Sequence, residues 1–271
     1  MASSMAVMTS PPDHFAEKSS HMHQQPVQQQ QQQQQQQQVP PPAANSDQTA
    51  IIFDWDDTLL ASSWLTSEGL RLDEPFEIPR RAVAQLQDLE EACIKLLNHA
   101  FELGAVTIVT NAETGWVELS AQRFMPRVLP LLTKCRVISA RSTFEVAYPD
   151  QPNEWKIQAF RCAIADSFSP ARRRQLGFGD AMEVETKEND KAGNAGFKNV
   201  LSFGDSIHER DAVHRVAGAM PKTWSKSVKF VERPTIEQLK RQVELVSSCF
   251  DYICGHGGDL DLMLTIQLLY N

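Results

Sequence analysis

Short apolar runs separated by longer amphipathic stretches form the main pattern of this chain from residue 49 onward. The runs are too short for helices and rich in β-branched residues, so they predict buried strands, whereas apolar positions recurring every three or four residues predict helices. The predicted strands cover 50–54, 105–111, 135–139, 199–206 and 228–231. The predicted helices cover 62–69, 80–102, 115–132 with interruptions at two prolines, 154–166, 235–254 and 259–269. Strands and helices thus alternate, as in an α/β fold.

The first predicted strand ends in a group of acids. Residues 51–53 run directly into Asp54 and Asp56, whose side chains point the same way from an extended chain. Open α/β sheets bind ligands at the edge where their strands end. Two close carboxylates repel each other unless a cation neutralises them or one keeps its proton. With a bound cation, one carboxylate can serve as a metal ligand and nucleophile, and with a retained proton the other can serve as a general acid. The plain alternative is an acidic turn that caps a helix.

Polar residues also follow two later strands. Thr110 and Asn111 end the strand at 105–111, where a hydroxyl can donate a hydrogen bond to a phosphate oxygen. Gly204 lets the backbone turn sharply beside a ligand, and Asp205 then joins the same edge of the sheet.

Two further positions stay open between alternatives. Glu209 and Asp211 both follow Asp205 closely, so either could add a carboxylate to this edge. Lys156, in the first turn of the helix at 154–166, and Lys134 could each supply a cation there. The plain alternative for either lysine is an ordinary surface position.

Two segments have compositions that predict flexibility. Residues 1–47 contain a glutamine run at 28–38 and prolines at 40–42, and they cannot bury enough apolar surface to offset chain entropy. They are predicted to be a disordered tail before a domain at 48–271. Residues 167–198 lack a period and are predicted to be a flexible insertion.

Composition narrows the classes of function. The chain has 271 residues with 42% hydrophobic content, and its formal charge of -8 argues against nucleic-acid and anionic-membrane binding. Five widely spaced cysteines indicate reduced thiols in an intracellular, cytoplasmic or nuclear protein rather than a zinc site. Residues 1–10 lack the features of a signal peptide, and no apolar run has the length of a membrane helix.

Four motif positions together resemble those of the haloacid dehalogenase (HAD) superfamily, most of whose members are Mg²⁺-dependent phosphohydrolases. They occur in the family's chain order, each on the expected element: Asp54-x-Asp56-x-Thr58 as motif I, Thr110 as motif II, Lys156 as motif III and Gly204-Asp205 as motif IV. The residues 54–60, Asp-Trp-Asp-Asp-Thr-Leu-Leu, also resemble a group of eukaryotic HAD-like proteins. The resemblance implies a doubly wound, mostly parallel sheet with helices on both faces.

The resemblance also implies roles for the motif residues. Asp54 would attack phosphorus and form an aspartyl-phosphate, and Asp56 would protonate the leaving oxygen and then activate water. Thr110, Asn111 and Lys156 would hold phosphoryl oxygens. Mg²⁺ would be bound by Asp54, the backbone carbonyl of Asp56 and Asp205, since it prefers a few carboxylates together with water and phosphate oxygens. One of Glu209 or Asp211 would support the metal from an outer shell. Lys156 is the favoured motif III lysine, with Lys134 as the weaker rival.

The spacing of the motifs leaves room for a minimal cap domain or none. An open site of that kind suits a phosphoprotein or another large phosphorylated substrate, and a small molecule is the other option. Trp64 and Phe76 in the segment 62–79 are candidates for a partial lid over the site. The alternatives to a phosphatase are a catalytically silent scaffold of the same fold and a phosphotransferase. The oligomeric state is left open.

Overall fold

The computed structural model describes residues 46–73, 77–175, 177 and 196–270. The strands are β1 (Thr49–Phe53), β2 (Ala105–Thr110), β3 (Arg136–Ser139), β4 (Lys198–Gly204), β5 (Thr223–Lys229) and β6 (Leu260–Met263). The α-helices are α1 (Ser62–Ser67), α2 (Arg80–Leu103), α3 (Trp116–Phe124), α4 (Leu129–Leu132), α5 (Ala140–Phe144), α6 (Pro152–Ser167), α7 (Pro170–Gln175), α8 (Ile207–Ala217) and α9 (Ile236–Gly255). The predicted disordered tail lies, up to residue 45, outside the described residues, as do Phe76 and most of the predicted insertion.

The strands form one parallel sheet in the order β3-β2-β1-β4-β5-β6. The chain moves outward from β1 to β2 and β3, and then crosses back to place β4 on the other side of β1. The reversal therefore lies between β1 and β4, and doubly wound sheets bind ligands at the carboxyl ends of the strands flanking such a point. The predicted α/β class with a doubly wound, parallel sheet is confirmed.

Helices cover both faces of the sheet. On β1, Ile51 and Phe53 belong to a core that includes residues of α2 and α9, whereas Ala50 and Ile52 belong to a second core with residues of α6 and α8. A parallel strand buried on both faces reads as a continuous apolar run rather than as an alternating one. This is why a run without alternation predicted β1 correctly.

The longest helix, α2, lies where the apolar spacing predicts a helix over 80–102. Gly104 follows it and leads directly into β2. A Cβ at Gly104 would lie 2.5 Å from the carbonyl oxygen of Thr49. The glycine therefore allows a close approach to β1, since its φ of 176° is extended backbone that any residue adopts.

Two predictions in the last third of the chain are right only in part. β5 includes residues 228 and 229 of the strand predicted at 228–231 but begins well before it. In the helix predicted at 259–269, residues 260–263 instead form strand β6, and Ile266–Leu269 form a 3-10 helix. β6 pairs in parallel with β5, and the amide of Leu264 extends this pairing with a 2.8 Å bond to the carbonyl of Lys229. A short terminal helix has little stability of its own, so pairing at the sheet edge decides the conformation.

The connection from β1 to β2 is short. In the described residues it contains α1 and α2, which matches the expectation of a minimal cap domain. Trp64 of α1 is buried in the core that includes α2, so the suggestion that it covers the site is wrong.

All five cysteines are unpaired, as predicted. Burial raises the pKa of the Cys254 thiol to about 12, which keeps it protonated at neutral pH. None of the helices in the described part of the chain is both long and apolar enough to cross a membrane.

Candidate active site

The carboxyl ends of β1, β2 and β4 converge at the point where the strand order reverses. Because β1 pairs with both β2 and β4, Asp54 follows directly from the central strand, with Thr110 and Gly204 ending the strands on either side. The amide of Asp54 donates to the carbonyl of Phe203 at 2.8 Å, which carries the pairing with β4 one residue beyond β1. The fold thus places the predicted nucleophile in rigid backbone rather than in a free loop.

A buried lysine lies beneath this edge. Lys156 is 1% exposed, and its Nζ lies 2.5 Å from Oδ1 of Asp54 and 2.8 Å from Oε1 of Glu209. It also donates to the carbonyl oxygen of Val109 at 2.7 Å, so three acceptors surround the ammonium. The other candidate, Lys134, instead places its Nζ 5.7 Å from the ring centroid of Phe101. The structure therefore brings Lys156 into the site.

Glu209 is the acid of the predicted pair that joins the cluster. Ser206 and Glu209 form a reciprocal capping box at the start of α8, in which Oε2 of Glu209 accepts the Ser206 amide at 3.0 Å. A Cβ at Gly204 would lie 2.4 Å from Cγ of Glu209, so the glycine makes room for this carboxylate. Asp211 has a 43% exposed side chain, and its carboxylate lies 3.9 Å from Arg210.

Asp56 is held by two donors on the β2 side. The Thr110 hydroxyl donates to Oδ2 at 3.1 Å, and the Trp116 indole N–H donates to Oδ1 at 2.9 Å. Thr110, predicted to bind phosphate, is thus directed at Asp56, while its own oxygen accepts the Ala112 amide at 2.9 Å. Asn111 donates to the carbonyl of Pro152 at 3.4 Å and makes no described contact with the two aspartates.

Burial raises the pKa values of three aspartates in the cluster. Burial raises the pKa of Asp54 well above its usual value, and the negative charge of Glu209 adds to this effect. Burial also raises the pKa of Asp56, although its Trp116 and Thr110 bonds oppose the rise. Burial, with Glu209 next in size, raises the pKa of Asp205 to about 7.

Lys156 and Glu209 form the ionised pair of this cluster. Burial opposes charge on both groups. The attraction of Asp54, and then that of Glu209, outweighs burial at Lys156 and raises its pKa, while the attraction of Lys156 lowers the pKa of Glu209. Glu209 thereby holds the lysine charged beside Asp54. The excess negative charge then falls on the aspartates at the carboxyl edge of the sheet.

Asp57 shapes the turn that carries Asp54 and Asp56. It has a left-handed φ of 51°, and its carboxylate accepts hydrogen bonds from the Ser63 amide at 2.9 Å and from the hydroxyls of Ser62 and Ser63. The turn closes through the amides of Leu59 and Leu60, which both donate to the Trp55 carbonyl.

Asp57 and Trp116 are the residues that reasoning from the sequence missed. An aspartate shortly before two serines at a helix start is a recognisable capping signal, so Asp57 could have been found. No local signal connects Trp116 with Asp56.

The oxygen donors at this edge fit the predicted Mg²⁺ ion in kind. Within the described residues, no group of three or more histidine, cysteine, aspartate or glutamate side chains is placed to hold a metal ion. The predicted set has two carboxylates, those of Asp54 and Asp205, together with a backbone carbonyl, and Mg²⁺ commonly completes such a set with water and phosphate oxygens. The expected chemistry of the set is thus compatible with the residues present.

Comparison of the chain with protein-family models, with curated proteins and with solved structures gives no match. Any function must therefore be argued from the geometry of the site.

Proposed function

We propose that the protein is a Mg²⁺-dependent phosphohydrolase of the HAD type that acts through an aspartyl-phosphate on Asp54. The observation that carries the proposal is the contact of this buried aspartate with Lys156, at the point where the strand order reverses. Asp56 supports it, because a second carboxyl two residues along the chain faces donors of its own rather than the lysine. Nucleophile and acid–base group then have separate environments, as two-step hydrolysis requires.

In the first step, Asp54 attacks phosphorus and the bond from phosphorus to the leaving oxygen breaks. Lys156 holds the nucleophile in place and balances the negative charge of the incoming phosphoryl group. The leaving oxygen takes its proton from Asp56, whose raised pKa increases the protonated fraction available for this transfer.

In the second step, Asp56 accepts a proton from water as that water attacks the phosphorus of the aspartyl-phosphate. Asp54 leaves as a carboxylate and inorganic phosphate is released. Asp56 ends the cycle protonated, so protons balance over the two steps.

The residues that would hold the metal are Asp54, Asp205 and the backbone carbonyl of Asp56. A bound Mg²⁺ neutralises charge that otherwise repels an anionic substrate from an anionic nucleophile. Glu209 supports this arrangement by keeping Lys156 charged and by capping α8 next to Asp205.

The short connection between β1 and β2 favours a large phosphorylated substrate such as a phosphoprotein. Such a substrate can itself exclude water from an open site, whereas a small molecule needs a lid. An intracellular place of action, cytoplasmic or nuclear, remains the prediction from the unpaired cysteines.

The test is phosphate release from an aryl phosphate and from a phosphopeptide panel, with and without Mg²⁺. We expect Mg²⁺-dependent release that Asp54→Asn abolishes. The half-buried Asp166 on α6, which pairs with Arg136 at 3.5 Å, supplies the control Asp166→Asn, and we expect it to keep wild-type rates. Product formation with added alcohols separates a phosphotransferase from a hydrolase. Absence of release from both substrate classes, with no binding of a phosphate-mimicking fluoride complex, would favour the scaffold.

A further inference from the structure

Two indole N–H groups join α3 to the turn at residues 54–60, which we call the nucleophile turn. Trp55, which lies between the two aspartates in sequence, donates to the Ser120 hydroxyl at 2.9 Å, and Trp116 at the start of α3 donates back to Asp56 at 2.9 Å. The Ser120 hydroxyl in turn donates to the Val117 carbonyl at 3.2 Å. The helix and the turn are thus fixed to each other at two points.

The donors to Asp56 are themselves rigidly placed. The Trp116 amide donates to the Glu113 carbonyl at 3.1 Å, and Gly115 before it has a left-handed φ of 90°. A Cβ at Gly115 would meet nothing within 4 Å, so the glycine serves the backbone turn rather than close packing. This turn places Trp116 at the first position of α3, where its indole reaches the carboxyl edge of the sheet.

Both oxygens of Asp56 therefore accept hydrogen bonds from donors whose positions are fixed by their own contacts. Thr110 ends β2 and is tied to the Ala112 amide, and Trp116 begins α3 and packs partly against the core. The Ser62 side chain at the start of α1 is a further hydrogen-bonding partner of Asp56. Loss of the Trp116 donor removes the 2.9 Å contact to Oδ1 and leaves Thr110 and Ser62, so the plane of the carboxyl group is less tightly fixed.

We propose that Trp116 is a positioning residue that sets the orientation of Asp56 for its two proton transfers. This inference rests on the proposed phosphohydrolase function. In that reaction Asp56 gives a proton to the leaving oxygen and takes one from water, and both transfers need a defined carboxyl orientation. Substrate binding uses other groups, so loss of the indole N–H lowers kcat and leaves KM unchanged.

Trp116→Phe keeps an aromatic ring and removes the donor. We expect kcat to fall about tenfold or more, because well-placed proton transfer contributes about 100-fold or more to such reactions. The fall is larger for an alkyl phosphate than for a nitrophenyl phosphate, since an alkoxide leaves poorly without a proton. A purely structural role of the ring would lower both rates by the same factor.

Trp224→Phe is the matched control. Trp224 is also half-buried, but it stacks on Phe197 with ring centroids 4.8 Å apart near the amino end of β5. It pairs in register with Asn199, near the start of β4, so it lies at the opposite end of the sheet from Asp56. We expect wild-type kcat and KM for this variant with both substrates.

A second measurement tests the contact without using activity. In protein labelled with ¹⁵N at tryptophan, the indole signal missing from Trp116→Phe identifies Trp116. We expect Asp56→Asn, which keeps the side-chain shape, to move that signal and to leave the Trp224 signal in place. If Trp116→Phe fails to fold, replacing the other four tryptophans one at a time assigns the Trp116 signal by elimination. An unmoved Trp116 signal overturns the proposal.

The kinetic outcomes separate this inference from the function on which it rests. If the wild type releases phosphate and Trp116→Phe matches Trp224→Phe, the positioning role is wrong and the phosphohydrolase stands. Equal losses with the alkyl and nitrophenyl substrates also overturn the positioning role. If the wild type releases no phosphate from any substrate, both proposals fail together.

Discussion

Replacing Lys156 with methionine tests whether this buried ammonium holds the cluster together. Methionine fills a similar volume but supplies no charge and no donor. The change leaves Asp54 without its 2.5 Å partner, Glu209 without its 2.8 Å partner and the Val109 carbonyl without its 2.7 Å donor. Two carboxylates then share a dry site with no cation between them.

The size of the effect follows from the number of partners lost. Removing one member of a buried ion pair costs about 3–5 kcal/mol, and leaving a buried carbonyl unpaired adds about 1–3 kcal/mol. Protonation of the abandoned carboxyls limits this cost. We therefore expect Lys156→Met to lose about 5 kcal/mol of unfolding free energy near neutral pH and about 2 kcal/mol near pH 5.

The sign of the pH dependence is set by Asp54 and Glu209. In the wild type the pKa of Glu209 is lowered by Lys156, so its contribution to stability is present above its unfolded pKa and lost as pH falls through its folded pKa. In the variant, burial and mutual repulsion raise both carboxyl pKa values above their unfolded values. The folded variant then binds more protons than the unfolded chain, and its stability decreases as pH rises. The Glu209 contribution in the wild type is already complete above its unfolded pKa, so it stays constant over the range compared. Burial already raises the pKa of Asp54 in the wild type, and the deficit grows with pH because both carboxyl pKa values rise further in the variant.

The measurement is urea unfolding followed by tryptophan fluorescence at about pH 5 and about pH 7. Lys226→Met is the control, because Lys226 is also buried but donates only to the carbonyls of Ile253, Cys254 and His256. Burial lowers the pKa of Lys226 to about 8, so it stays mostly charged over this range and its deficit should be nearly constant. A Lys156→Met deficit as constant as that of the control would refute the reasoning.

Three further predictions concern the same edge of the sheet. Gly204→Ala places a Cβ 2.4 Å from Cγ of Glu209 and should cost about 1–3 kcal/mol in urea unfolding, whereas Gly69→Ala, with nothing within 4 Å of its Cβ, should show only the strain of its left-handed backbone. Asp57→Ala removes the acceptor for Ser63 and places alanine at a φ of 51°, so it should lower the thermal midpoint and cost about 2 kcal/mol. Asp57→Asn keeps an acceptor oxygen and tolerates left-handed backbone, so it should recover most of that loss. Mg²⁺ affinity by calorimetry should weaken as pH falls below 7, because protonation of Asp205, whose pKa is raised to about 7, removes a ligand; an affinity constant from pH 6 to 8 would contradict its role.

The fold and the strand-end residues could be predicted because both depend on local pattern. Central parallel strands are apolar throughout, and whatever follows each of them must meet at one edge of the sheet. The first five residues of β5 were not predicted, because its buried positions include Ser225, Lys226 and Ser227, which satisfy their polar groups through distant partners. Such hydrogen bonds have no periodic signature in the sequence.

Within the site, contacts between residues close in sequence could be predicted, whereas contacts between residues distant in sequence could not. The choice between Glu209 and Asp211 depends on which side of α8 faces Lys156, and the capping box with Ser206 fixes this. That signal, a serine three residues before a glutamate, was present in the sequence. The Trp116–Asp56 bond joins positions 60 residues apart, so it follows only from the packing of α3 on the nucleophile turn.

The charge balance of the buried cluster connects this fold with the proposed catalysis. One acid would suffice to neutralise Lys156, yet Asp54 and Glu209 both contact it, and Asp205 and Asp56 lie at the same edge with raised pKa values. Carboxylates in excess of the cations at a buried site destabilise the folded state, because burial and mutual repulsion both oppose their ionisation. A scaffold gains nothing from that cost, whereas a phosphoryl-transfer site that recruits a cation recovers it when the cation binds. Addition of Mg²⁺ should therefore raise the thermal midpoint of the wild type, and Asp205→Asn should remove most of that increase.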